Sequence, residues 1–139
     1  MAESSLPKDV QAFLRDHMES YEQLEILLLL RTRRGDFWAP GAVSGELHLP
    51  ELVAEQALLA LRQHGLLSVE VLPNSQRFRF RPESAELEAL VEKLAEAYAD
   101  HRIEVVRLMT ASSIERLRAR AARTFANAFL LGKKGGKDG

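Results

Sequence analysis

Apolar residues recur at helical spacing over most of this chain, and alternate with polar ones in a single stretch. A first short helix is read from Pro7, which suits the first helical position, through Val10, Phe13 and Leu14 to about His17. Ser20 followed by Gln23 has the form of a capping box, which opens a second helix running to Arg34. Its Leu24, Ile26, Leu27, Leu28, Leu29 and Leu30 are apolar nearly all round, as befits a helix at the centre of a bundle. Arg31, Arg33 and Arg34 sit at its negative end, and Gly35 closes it.

Asp36-Phe37-Trp38-Ala39-Pro40 leads into a weak helix from Pro40 to Leu47, diluted by Gly41 and Gly45. Pro50 then opens a helix carrying Leu52, Val53, Ala57, Leu58 and Leu61, ended by Gly65 after His64. There the period changes to two. Leu67, Val69 and Val71 alternate with Ser68 and Glu70, Pro73-Asn74-Ser75 supplies a turn, and Phe78 and Phe80 alternate with Arg77, Arg79 and Arg81. The pattern is a hairpin with one apolar face.

Pro82-Glu83-Ser84 ends the strand and an acidic first turn begins a long helix. Leu87, Val91, Leu94, Tyr98, His101, Val105 and Leu108 follow at alternating steps of four and three, a coiled-coil-like seam. Ser112 and Ser113 are read as the cap of a further helix, with Ile114, Leu117, Ala121, Phe125 and Ala128 on one stripe and Arg116, Arg120 and Arg123 on the opposite one. The Gly/Lys-rich stretch 132–139 is expected to be disordered. The expected class is mainly α with a small β-hairpin. Its organisation is an N-terminal helical strap (1–19), a compact unit (20–82), a helical extension (83–131) and a tail (132–139).

With 139 residues, 46% hydrophobic and 28% charged, the chain is the size of one globular domain. It has no cysteine, which excludes disulfides, thiolate metal sites and thiol nucleophiles. The N-terminus lacks the basic-then-apolar order of a signal peptide, and the longest apolar run, Ile26 to Leu30, is too short to cross a membrane, so a cytoplasmic location is expected. Net charge is −1, unevenly spread. Residues 83–100 hold one Lys/Arg against six Asp/Glu, whereas residues 101–139 hold nine against three. The two blocks can pair with each other, within or between subunits, or the basic one can meet phosphates.

The order helix, short helix, helix, hairpin from Ser20 to Arg81 resembles a winged-helix domain of the bacterial regulator type. The resemblance is carried by Tyr21-Glu22-Gln23-Leu24-Glu25-Ile26-Leu27, Trp38-Ala39-Pro40, Leu58 and Leu61 with Gly65-Leu66-Leu67, and Arg77-Phe78-Arg79-Phe80. It covers about 60 residues. The remainder is similar in a general way to the helical dimerisation extensions of the multiple-antibiotic-resistance-regulator and PadR-like families. The resemblance implies a winged helix-turn-helix with long C-terminal helices, binding duplex DNA as a homodimer, with the helix after Pro50 in the major groove and the wing on the backbone or minor groove.

The candidate DNA-binding residues are Gln56, Arg62 and Gln63 on that helix and Arg77, Arg79 and Arg81 on the wing. The helix departs from the family pattern, because Glu51 and Glu55 near its start repel phosphate. Its acidic and apolar face, Glu51, Leu52, Glu55 and Leu59, is therefore also read as a dock for a basic protein partner. The seam residues are read as the dimer interface, with an internal seam as the alternative. No catalytic arrangement is found, no cofactor is expected, and His17, His48, His64 and His101 are scattered without metal-ligand spacing.

Overall fold

The computed structural model describes the backbone of residues 6–138 and the side chains of residues 6–128. Six helices and one hairpin follow in the order α1 (Lys8–His17), α2 (Tyr21–Thr32), α3 (Pro40–Leu47), α4 (Glu51–Gln63), β1 (Leu67–Leu72), β2 (Ser75–Phe80), α5 (Ala85–Asp100) and α6 (Arg102–Asp138). The tail expected to be disordered is helical in backbone as far as Asp138, and its side chains lie outside the described residues.

Each element starts and stops for a local reason. The Ser20 hydroxyl accepts from the Gln23 N–H at 3.2 Å, while Gln23 Oε1 reaches back to the Glu19 N–H at 3.0 Å, one residue beyond the usual capping-box partner. Gly35 (φ +109°) and Gly65 (φ +77°) take the left-handed backbone that ends α2 and α4. At Gly65 a Cβ would also meet the Glu83 carboxylate at 2.4 Å, so that side chain would have to swing aside. Ser84 caps α5 by accepting from the Leu87 N–H at 3.1 Å.

The strands pair antiparallel, with Leu67 opposite Phe80 and Val69 opposite Phe78. The turn is Pro73-Asn74 alone, because Ser75 already pairs with Leu72. A third extended piece joins them: Trp38 and Phe78 exchange both backbone hydrogen bonds, at 2.7 and 2.8 Å. The segment before α3 is thus a one-residue strand beside β2, and the buried Trp38 ring anchors helices to hairpin.

One core runs through the whole unit. Leu24, Ile26, Leu27 and Leu30 of α2, Val43 of α3, Ala54, Leu58 and Leu61 of α4 and Phe78 of β2 are fully buried. Complete burial of a Leu-sized side chain contributes on the order of 2 kcal/mol. The α1 strap packs on α5 and α6 and brings Val10, Phe13 and Leu14 into the same cluster.

Two expectations are corrected. The long C-terminal helix is not continuous through His101, and no new helix begins at Ser112. The chain breaks at His101 (φ −137°, ψ 48°), whose N–H caps α5 on Ala97 O, and α6 then runs on through Ser112 and Ser113. The break lets Val91 and Leu94 of α5 and Val105 of α6 all turn inward, where they are fully buried in the chain's own core. Leu87, Tyr98 and Leu108 pack at its edge, and His101 is exposed. The seam positions Val91, Leu94 and Val105 are thus covered from within the described chain, where α1 packs on both helices.

The acidic block also finds another partner. Arg31 makes a two-pronged contact with Glu92 (2.6 and 3.0 Å), Arg34 bridges Glu88 and Glu92 (2.8 and 2.7 Å), and Lys93 meets Asp9 (2.6 Å). Arg116, for which pairing with that block and contact with phosphate were both open, donates to the carbonyls of Arg15 and Met18 at the end of α1. The α5 acids Glu88 and Glu92 thus fasten it to the C-terminal end of α2, and its Lys93 fastens it to α1.

Candidate nucleic-acid interface

The sheet period sends Phe78 and Phe80 into the core and Arg77 and Arg79 to the outer face of the hairpin. Phe37, one residue before the Trp38 bridge, lies on that same outer face. The guanidinium of Arg79 sits 4.7 Å from its ring centroid and that of Arg77 sits 5.3 Å away. Arg77 is also paired with Glu70, its cross-strand neighbour. Two cations held by one aromatic ring form a compact positive face, stiffened by cation–π attraction of about 0.5–1 kcal/mol each at an exposed site.

Arg81 follows β2 and is exposed. It lines a polar hollow of about 480 Å³ with Arg62, Gln63, Gly65, Ser68 and Glu83, where the C-terminal end of α4 meets the hairpin. The structure thus brings Arg62, Gln63 and Arg81 together and keeps them next to the wing. It does not bring Gln56 to them. Gln56 lines a separate hollow with Glu19, Glu22 and Gln23, between α4 and the start of α2.

The outward face of α4 is Glu51, Leu52, Glu55, Gln56, Leu59, Arg62 and Gln63. Its first half is acidic and apolar, with Leu52 63% and Leu59 38% exposed. Its last turn is polar and cationic. The helix therefore has two surfaces end to end, and only the C-terminal one adjoins the arginines.

Beyond Ser112, α6 leaves the core. Ile114, Leu117 and Phe125 are exposed along one line of it, with Ile103 on the same line nearer the domain. Where α5 meets α6, the Tyr21 and Tyr98 hydroxyls are 2.7 Å apart and Arg102 donates to Tyr21 at 2.9 Å. Burial, with the Tyr21 hydroxyl beside it, pushes the Tyr98 phenol up to about 12, so this link stays protonated at any physiological pH.

Three features escaped the sequence. The role of Phe37 had a weak signal, an aromatic pair inside a five-residue connection. The pairing of His17 with His64 had none, since the residues stand 47 apart. The exposure of the α6 stripe had half of one, because periodicity groups the residues without saying what covers them.

Neither protein-family models nor curated proteins give a match to this sequence. Solved structures do. The chain is similar to a mutant of MepR from Staphylococcus aureus bound to an oligodeoxyribonucleotide, at 14% identity over 87% of this chain and 88% of that one, with a TM-score of 0.52. It is similar at 14% identity and a TM-score of 0.51 to MepR itself, described as a transcription regulator of the multidrug efflux pump MepA, over 87% and 88% of the two chains. It is also similar to HlyU from Vibrio cholerae, at 24% identity over 66% of this chain and 95% of that one, with a TM-score of 0.50. At such identities the likeness is one of fold, and it agrees with the element order and the wing: the chain is a winged helix-turn-helix with long C-terminal helices.

Proposed function

We propose that this protein is a winged-helix DNA-binding protein acting as a homodimer, a transcriptional regulator that works in the cytoplasm and performs no catalysis. The observation that carries the reading is the positive outer face of the wing, Arg77 and Arg79 around Phe37, with Arg81, Arg62 and Gln63 beside it. The similarity in fold to MepR, solved with an oligodeoxyribonucleotide, supports it. In this reading Arg77, Arg79 and Arg81 hold phosphates, and base contacts fall to Arg62 and Gln63 at the C-terminal end of α4. Gln56, two turns nearer the N-terminus on the same face of α4, has no part in it. Glu51 and Glu55 keep the start of the helix away from the backbone, so affinity comes mainly from phosphate contacts. The dimer forms through the exposed stripe of α6, Ile114, Leu117 and Phe125, and not through the internal seam.

A second reading has its own observation. Leu52 and Leu59, exposed beside Glu51 and Glu55, form a surface suited to a basic protein partner rather than to DNA.

Fluorescence anisotropy with random duplex DNA, at about 50 and 200 mM salt, separates the two. Three cations per protomer reaching phosphate, six in the dimer, give a log–log salt slope of about −5 to −6. Arg79→Glu is expected to weaken binding at least tenfold and flatten the slope, while Glu55→Arg leaves it intact or strengthens it. Binding indifferent to Arg79→Glu refutes the wing mechanism. Absence of DNA binding, with partner capture sensitive to Glu55→Arg, transfers the function to the second reading.

A further inference from the structure

We propose that His17 and His64 form a binding site for a divalent transition-metal ion of the zinc type, held through the Nδ1 atom of each ring. The two Nδ1 atoms face each other at 3.2 Å, with the rings nearly perpendicular at 81°. Tetrahedral zinc with Zn–N bonds of about 2.0–2.1 Å sets two ligand nitrogens about 3.3 Å apart. The pair already stands at the edge length of that tetrahedron.

The tautomer is arranged for it as well. Glu19 Oε2 lies 3.3 Å from His64 Nε2. A carboxylate only accepts, so Nε2 carries the proton and His64 Nδ1 is an acceptor; at 3.2 Å it takes the His17 Nδ1–H, and a metal ion would replace that one shared proton, His17 then carrying its proton on Nε2. The Glu19–His64 contact is the carboxylate–histidine arrangement that orients metal ligands and raises their basicity.

The location favours a cation too. His17 is the last residue of α1 and His64 is the C-cap of α4, so two helix C-termini, each with a partial negative charge, converge on the pair. The charged groups around it are Asp16 beside His17, Glu19 behind His64, and Arg116 of α6, whose guanidinium is spent on the Arg15 and Met18 carbonyls. Arg120 shares a hollow with Glu19 and Arg116. Glu83 stands over Gly65, next to His64. Three carboxylates thus stand near the pair against three guanidiniums, of which Arg15 is paired with Asp16 and Arg116 is spent on carbonyls.

Among the described residues no group of three His, Cys, Asp or Glu side chains could hold a metal ion. This is accordingly a two-ligand site, its other positions open to water or to an incoming ligand. A bound ion would clamp the strap to the end of α4, independently of whether α4 meets DNA.

The test is zinc chloride titrated into the full chain, by calorimetry and by imidazole-nitrogen NMR of the unsubstituted protein. The expected result is one ion per chain, with the Nδ1 signals of His17 and His64 moving together and those of His48 and His101 still. His17→Gln and His64→Gln, checked for folding by circular dichroism, each weaken binding at least tenfold. Glu19→Gln weakens it about tenfold. An absence of heat and of Nδ1 shifts overturns the proposal. So do shifts at His48 or His101 instead, or affinity unchanged in both histidine variants.

Discussion

The compact unit of residues 20–82 and the distal half of α6 are both rich in apolar side chains, and the molecule treats them in opposite ways. In the first, Leu24, Ile26, Leu27, Leu30, Leu58, Leu61 and Phe78 are all fully buried among one another. In the second, Ile114, Leu117 and Phe125 are 43%, 61% and 74% exposed on one line of a helix that has left the core. Between the two lies the seam of α5 and early α6, which has the cleanest heptad spacing in the chain and is covered from within by α1. The spacing of a stripe is thus a poor guide to whether its partner is internal or external. What decides is whether another element of the same chain is near enough to cover it: α1 covers the seam, whereas at residues 114–125 its C-terminal end meets Arg116 and leaves the Ile114, Leu117 and Phe125 stripe exposed.

The sharpest way to break this contrast is to charge one residue on each side of it. Leu94→Asp places a carboxylate in a fully buried position and is expected to cost about 3–5 kcal/mol, enough to unfold a domain of ordinary stability. Urea denaturation followed by circular dichroism measures it. A folded, monomeric Leu94→Asp protein would mean that the seam faces a second chain after all.

The companion double variant, Leu117→Asp with Phe125→Asp, is expected to leave the fold of the monomer within about 0.5 kcal/mol, since neither side chain is in the core. Its effect belongs in the molar mass by light scattering, which should fall from two chains to one, and in a melting temperature that no longer depends on protein concentration. A mass unchanged by the double variant removes the stripe as the dimer interface.

The same contrast explains what was legible in the sequence. The hairpin, both glycine stops, the Ser20 cap and the buried α2 were readable because each rests on interactions within a few residues or on a period that admits one reading. The winged helix-turn-helix followed from their order. The break at His101 was not readable: the apolar spacing passes through it without interruption, and its cause is tertiary, the need to bring Val105 back under α1 while Arg102 meets Tyr21. The candidate interface was legible in part. Strand alternation places Arg77 and Arg79 outward, but their gathering about Phe37 depends on the Trp38 bridge to β2, and the separation of Gln56 from Arg62 and Gln63 depends on where α4 meets its neighbours.

The smallest expected effect lies where the acidic block meets α2, and it asks whether charge or apolar burial holds α5 down. The Arg31 guanidinium, aided by Arg34, holds the Glu92 carboxyl below its ordinary value of 4.5. The folded state therefore binds fewer protons than the unfolded one in that range, so the stabilisation is present above the ordinary value and is lost as pH falls through the lowered one. Because the pair is partly open to solvent, screening limits it to about 1 kcal/mol or less. Glu92→Gln is expected to melt slightly below the unsubstituted protein near neutral pH and to converge on it in acid, as read by melting temperature against pH. A gap that persists unchanged to low pH would assign the loss to packing of the side chain instead. α5 would then be held by Val91 and Leu94 alone, as the unit of residues 20–82 is held by its leucines.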